Sequence, residues 1–292
     1  MKQVKYGKVI AWGFVAVILF ITLFPVAWML KTAFSSNADL FTHYSSLLPP
    51  HWTLNNFRRV LGIASLKENQ AGGGSGASIN FWVYLKNSLA FTTTIVIFQV
   101  GFSVLAGYAL ARLKFSGRKG IFYLLMTGLL VPPMFSTIPN YGTIKSLHLL
   151  NTWPGLVAPF IFGTPFAVFY MRQFFLSFPK EIEEASELDG LSTMARIRMV
   201  VLPMSWPPIF TLSLIVGVTA WNEYLWPLIV GTNENMRVLT VGMGVFKAQN
   251  PSDAPDWGGL MASGTLTVIP VLIILILFGK KMVGSIQLTG SK

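Results

Sequence analysis

Ser177-Phe178-Pro179-Lys180-Glu181-Ile182-Glu183-Glu184-Ala185-Ser186-Glu187-Leu188-Asp189-Gly190-Leu191-Ser192, running on to Leu202-Pro203, is a polar island between two apolar stretches. In a chain that is 53% hydrophobic and 11% charged, it holds Glu181, Glu183, Glu184, Glu187 and Asp189 out of eleven acids in all. Its local chemistry reads as helix, turn, helix. Ser177 is expected to cap a first helix that opens with Pro179 and several acids, where a missing N–H costs nothing and carboxylates meet the positive end of the helix dipole. Asp189-Gly190 is expected to end it, because glycine adopts the left-handed conformation without a steric penalty. Ser192 is expected to cap a second helix through Met194, Ala195, Ile197, Met199 and Val200, which Pro203 interrupts. On the first helix, Ile182, Ala185, Ser186 and Asp189 are expected on one face, small enough for another surface to approach closely.

Working outward, the composition excludes an ordinary soluble domain, which would carry about 25% charged residues. The mean hydropathy of +0.58 over 292 residues predicts an all-α integral membrane protein. Six spans of about 20 residues fit its length with short connections. There is no cysteine, so disulfides, thiolate metal sites and cysteine nucleophiles are excluded. The formal charge of +11 has a topological pattern. Lys2, Lys5 and Lys8 precede the first apolar run, Arg112, Lys114, Arg118 and Lys119 follow the second, and Lys280 and Lys281 follow the last. Those positions mark the cytoplasmic side by the positive-inside rule, which puts both termini in the cytoplasm and removes the need for a nucleic-acid partner. The N-terminal apolar run is too long for a signal-peptide core and reads as a retained anchor.

The expected division is 1–30, an N-terminal tail and first transmembrane helix; 31–84, an external loop segment; 85–280, a five-helix core carrying the cytoplasmic loop 177–203; and 281–292, a cytoplasmic tail. The expected spans are 9–30, 87–112, 121–141, 153–169, 205–230 and 260–278. Gly72-Gly73-Gly74-Ser75-Gly76 reads as a flexible tip. Prolines at 132, 133, 139, 159 and 165 predict broken helices, tolerated in a membrane where they line a cavity or are buried in protein. Trp221-Asn222-Glu223-Tyr224-Leu225-Trp226-Pro227 contains the only acid inside an expected span. A membrane carboxylate among aromatics suits sugar recognition, and Trp221, Asn222, Glu223 and Tyr224 are candidate pathway residues. An interfacial aromatic belt with Glu223 paired to a partner subunit fits the same residues.

Glu184-Ala185-Ser186, then Asp189-Gly190, Ile197, Leu202-Pro203 and Pro207, resembles the EAA loop of permease subunits of binding-protein-dependent ABC importers. Tyr108-Ala109-Leu110-Ala111-Arg112, Thr53-Leu54-Asn55-Asn56-Phe57 and Asp256-Trp257-Gly258 are similar to tracts of the carbohydrate, maltose-type branch of that family. Gly284-Ser285-Ile286-Gln287-Leu288-Thr289-Gly290 departs from the family's usual tail order. The resemblance implies a type I ABC importer permease-like fold of six transmembrane helices, multi-pass in the bacterial inner membrane. It also implies import of a sugar or oligosaccharide and docking to an ATPase through Glu184, Ala185, Ser186, Asp189, Gly190, Leu202 and Pro203. The implied partners are a homologous second permease subunit, two ATPase subunits and an external solute-binding protein. ATP and Mg would be bound by the ATPase, since neither Gly7-Lys8 nor Gly279-Lys280 belongs to a phosphate-binding loop. His43, His51 and His148 lack metal-ligand spacing, and no paired carboxylates suggest catalysis, so neither a metal site nor an enzyme is expected. An ion-gradient-driven secondary transporter and a permease for a non-sugar solute remain alternatives.

Overall fold

The computed structural model describes residues 3–43, 45–65, 68, 78–248 and 255–287. The glycine run 72–76 and residues 288–292 of the tail lie outside them. Every regular element among the described residues is helical. The chain divides into two compact units, one of residues 1–83 and 239–270, the other of residues 84–238 and 271–292.

In the first unit, the Gln3–Ala33 helix is apolar on all sides, and from Val9 to Phe24 its large side chains are exposed. An all-round apolar surface of this length belongs in lipid or against another protein rather than in water. Pro25 sits inside it without ending it. The segment after it does more than loop. Ser36 caps the short Asn37–Thr42 helix by accepting the Asp39 N–H at 3.1 Å, and a second helix runs Asn55–Val60. His51 approaches Asp39 at 3.3 Å, and His43 approaches it at 4.0 Å. The Asp39–His43 pair has the i, i+4 spacing of helix neighbours, whereas the approach of His51 from 12 residues away does not show in the spacing.

Around these helices a buried polar cluster forms. Arg59, only 1% exposed, donates from Nη2 to Asp256 Oδ1 at 3.0 Å and to Asn56 Oδ1 at 3.1 Å, and its Nη1 pairs with Asp256 Oδ2. Asn56 in turn donates to the Ala33 and Ser35 carbonyls at 2.9 and 2.8 Å, fastening the end of the first long helix. Burial alone pushes the Asp256 carboxyl pKa up. The Arg59 guanidinium, the Gly259 N–H and the Asn37 amide outweigh that and hold it at about 2. A carboxyl lowered from 3.8 contributes stability that is complete above about pH 4 and is lost as pH falls through 2, an effect of about 2 kcal/mol. The apparent Tm in detergent is therefore expected to fall between pH 4 and 2 with a component that Asp256→Asn abolishes. A pH profile identical in that variant would refute the assignment.

The 32-residue helical run 81–112, which belongs to the second unit from Tyr84 onward, contains a wide π-helical turn at Val96–Val100 before Gly101–Arg112. Gly101–Arg112 packs along Pro165–Ser177 more extensively than any other pair of elements. Gly107 is the contact point. A Cβ there would lie 2.8 Å from Met171 Cβ and 2.9 Å from the Arg172 backbone N. Gly107 and Ala111 share one helix face, the small-residue spacing that lets membrane helices approach. Tyr108 meets Phe175 edge-on at 5.5 Å, and Arg172 lies over the Phe122 ring at 3.9 Å.

Three expected spans take a different form. The third is a pair of helices, Arg118–Leu130 and Pro133–Ser146, bent by 100° where Pro132 is extended and Pro133 begins the new helix. The expected fourth span is not one helix. Trp153–Val157 stops after five residues, and Pro165–Ser177 begins after Thr164, whose hydroxyl accepts the Ala167 N–H at 3.3 Å. Pro165 stands in the first turn of a new helix, where proline fits, rather than inside an old one. The fifth splits into Trp206–Trp221 and Leu225–Val230. By length and apolarity the described residues offer three membrane-crossing helices, or five if each bent pair counts as one.

Candidate functional site

The polar island forms a helical hairpin. Its first helix is Lys180–Leu188, with Glu181 and Glu183 in the first turn. The residue preceding that helix is Pro179, and Ser177 instead closes the helix before it, donating to the Phe174 carbonyl at 2.8 Å. The expected Ser177 cap is thus displaced by two residues. Gly190 stops the helix with φ +78°, and the Gly190 and Leu191 N–H groups return to the Glu187 and Ser186 carbonyls at 3.0 and 3.1 Å. That is a left-handed helix stop of the kind glycine serves without strain. Ser192 caps the second arm by accepting the Ala195 N–H at 3.3 Å.

That arm does not end at Pro203. A π-helical turn at Ile197–Val201 opens the backbone, Pro203 enters the turn that follows, and the bend of 77° comes at buried Ser205. The Ser205 hydroxyl donates to the Val201 carbonyl at 2.6 Å. The wide turn lets a residue with no N–H continue the helix.

The first helix divides differently from its expected face. Ser186 is buried and Ile182 half-buried, whereas Ala185 and Asp189 are exposed. Glu184, Gly190 and Pro203 are also exposed, and Leu202 is half-buried. With them the hairpin presents Leu188, 90% exposed, and Met194 and Met199, exposed by about two-thirds. Acids and large apolar side chains are thus exposed together on the hairpin.

The acid turned inward is Glu183. Its Oε2 lies 3.6 Å from Arg112 Nε, and the two side chains are 12% and 8% exposed. Arg112 also donates from Nη2 to the Phe178 carbonyl. Arg196 on the second arm donates to Glu187 at 3.2 Å. Glu183 and Arg112 escaped sequence reasoning as a pair. Arg112 was legible as a topological charge and as the end of the tract Tyr108-Ala109-Leu110-Ala111-Arg112, and Glu183 as one acid among several.

The other candidate residues lie at the break 222–224. Glu223 Oε1 accepts the Trp226 N–H at 3.1 Å and so starts the Leu225–Val230 helix. It also lines a cavity of about 180 Å³ with Gln99, Thr164, Thr219, Phe160 and Phe166. Gln99, in the wide turn of the 81–112 run, donates to Thr164 Oγ1 at 3.3 Å. Trp221 is buried, while Asn222 and Tyr224 are exposed and outside the cavity wall. Trp226 is a structural residue, its indole N–H donating to the Leu156 carbonyl at 3.0 Å. Gln99 is an isolated amide in an apolar run, and that was the signal available for it.

Comparison with known proteins agrees across most of the chain. Residues 99–283 match the family described as "Binding-protein-dependent transport system inner membrane component". A "Probable ABC transporter permease protein YurM" of Bacillus subtilis is 31% identical over 96% of this chain and 87% of its own length. A "Trehalose/maltose transport system permease protein MalG" of Thermococcus litoralis is 30% identical over 91% of this chain and 90% of its own. A chain in the crystal structure of a bacterial ABC transporter involved in the import of the acidic polysaccharide alginate superposes with a TM-score of 0.79. At 20% identity it covers 96% of this chain and 98% of that one, and it shows a shared fold.

Proposed function

This chain belongs to the family of binding-protein-dependent transport system inner membrane components, and from that premise we propose that it is the permease subunit of an ATP-driven importer of a carbohydrate. The observation that carries the reading is the hairpin 180–204, which offers Glu184, Ala185, Asp189, Leu188 and Met194 outward on a backbone fixed at Gly190 and Ser192. Relatives with sugar-transport names, among them the trehalose/maltose permease, support the solute class. In this reading Glu184, Ala185, Ser186, Asp189, Gly190, Leu202 and Pro203 form the coupling element received by an ATPase subunit, which binds ATP and Mg. The membrane is the bacterial inner membrane, crossed six times with both termini in the cytoplasm. A homologous second permease subunit, two ATPase subunits and an external solute-binding protein complete the machine.

Glu223 and Gln99 then belong to one wall of the solute pathway. Their cavity of about 180 Å³ falls below the usual 300–1,000 Å³ of a ligand site, in keeping with a pathway completed by the second permease. Asn222 and Tyr224 stand beyond that cavity wall, and Trp221 is buried.

The test is uptake of labelled di- and oligosaccharides by proteoliposomes holding the assembled transporter and its binding protein. Uptake is expected only with hydrolysable ATP on the ATPase side, and uptake driven by an ion gradient without ATP overturns the reading. Gly190→Arg sharpens it. The new Cβ meets nothing within 4 Å in this chain, so the chain absorbs a backbone strain of about 1–2 kcal/mol while the side chain projects from the docking turn. Co-purification of the ATPase is expected to drop at least fivefold at an unchanged level of inserted permease.

A further inference from the structure

The coupling element is continuous with the rest of its unit at both ends, and at one of them a side chain adds a further tie. Its second arm runs through Ser205 into the Trp206–Trp221 helix. Through Phe178-Pro179 the chain runs directly from the Pro165–Ser177 helix into Lys180–Leu188. The non-covalent tie beside that joint is Arg112, the last residue of Gly101–Arg112. Its guanidinium reaches both sides of that joint, donating to the Phe178 carbonyl before the bend and facing the Glu183 carboxylate after it. Arginine suits this double task because its planar fork holds two acceptors in fixed geometry, which a lysine ammonium does not.

We propose that Arg112 is a positioning residue that ties the coupling helix to the 81–112 helix, so that displacement of the hairpin by an ATPase is passed to that helix as well as to Pro165–Ser177. This assignment rests on the coupling role proposed above for the hairpin.

The burial of the pair makes the tie stiff. With both side chains about one-tenth exposed, water cannot replace either partner cheaply, and separating them strands a charge. The joint also has unused capacity. Arg112 Nε, Glu183 Oε1 and Arg196 Nε are buried without a hydrogen-bond partner among the described residues. At 3.6 Å the Arg112–Glu183 contact is an ion pair just beyond bonding distance, and a displacement below about 1 Å converts it to a charge-assisted hydrogen bond. A small movement of the hairpin therefore changes the energy of the tie. The 81–112 helix carries Gln99 on the cavity wall beside Glu223, so one continuous helical run leads from the hairpin to the pathway.

The experiment uses the absence of cysteine in this chain. In the transporter assembled with cysteine-free partners, Lys114→Cys and Glu181→Cys place spin labels on exposed sites on either side of the tie. The parent is expected to give a narrow distance distribution. Arg112→Gln is expected to widen it at least twofold, Arg112→Lys to widen it less, and the exchange Arg112→Glu with Glu183→Arg to narrow it again in part. Solute imported per ATP hydrolysed is expected to fall at least tenfold in Arg112→Gln while the ATPase stays bound. An unchanged distribution in Arg112→Gln overturns the tie, as does unchanged import per ATP. Should Arg112→Gln fail to insert, Arg112→Lys decides, and an unwidened distribution there overturns it equally. Failure of the parent to bind any ATPase would strike the coupling role of the hairpin, and the distance measurement would still report on the tie.

Discussion

Arg59→Ala is expected to destabilise the first unit by about 3–5 kcal/mol, seen as a fall in apparent Tm in detergent and a loss of folded protein. The cost comes from what is left behind. Asp256, itself 1% exposed, keeps the Asn37 amide at 3.0 Å and the Gly259 N–H at 2.9 Å but loses the guanidinium that pairs with both of its oxygens. Weakening the charge compensation of a buried carboxylate is costly, because water cannot replace the lost partner. Asn56 loses the guanidinium that its Oδ1 accepts from, which loosens the hold on the Ala33 and Ser35 carbonyls. The double replacement Arg59→Met with Asp256→Leu is expected to cost markedly less than Arg59→Ala, because it removes both charges and refills the volume. A double variant as unstable as the single one would show that shape rather than charge dominates the site.

Gly107→Leu is expected to give the second large effect. The first atom of any side chain there falls 2.8 Å from Met171 Cβ and 2.9 Å from the Arg172 N, and one obstacle is backbone that no rotamer change can move. The Gly101–Arg112 and Pro165–Ser177 helices must separate, and an overpacked seam of this kind costs about 1–3 kcal/mol or more. Gly101→Ala supplies the control in the same helix. Nothing lies within 4 Å of a Cβ at position 101, so alanine there is expected to be neutral or to stabilise by up to about 1 kcal/mol through helix propensity. Equal Tm values for Gly101→Ala and Gly107→Leu would show that the two helices do not meet as described.

The local parts of this molecule were legible in its sequence, and the parts made by distant contact were not. Gly190 and Ser192 end and begin helices in the structure for the reasons their chemistry gives, because a left-handed turn and a hydroxyl cap depend on the nearest few residues. Pro179 and Ser177 were misordered because a serine before a proline is ambiguous. It can open the following helix or close the preceding one, and the length of the preceding helix decides. Glu183 and Glu184 are adjacent and chemically alike. Which one turns inward depends on Arg112, 71 positions upstream by numbering. Likewise, Asn56 and Asp256 stand in two tracts quoted separately from the sequence, and their meeting through Arg59 spans 197 residues. Prolines 132, 133 and 165 predicted breaks correctly in kind. Periodicity alone assigned Pro165 to the inside of a span because the apolar run continues on both sides of it.

The two wide helical turns, Val96–Val100 and Ile197–Val201, shift the angular phase of everything beyond them. Each is equivalent to one extra residue threaded into an α-helix. Deleting one residue from the first would restore ordinary winding and rotate the upstream helix by roughly 100° about its axis, given 3.6 residues per turn. The chain would keep its hydrophobicity and its spans, yet Gln99 and the residues before it could no longer hold their present azimuth together. Drift by single-residue insertion or loss is therefore far less tolerable at these two turns than their unremarkable apolar composition suggests.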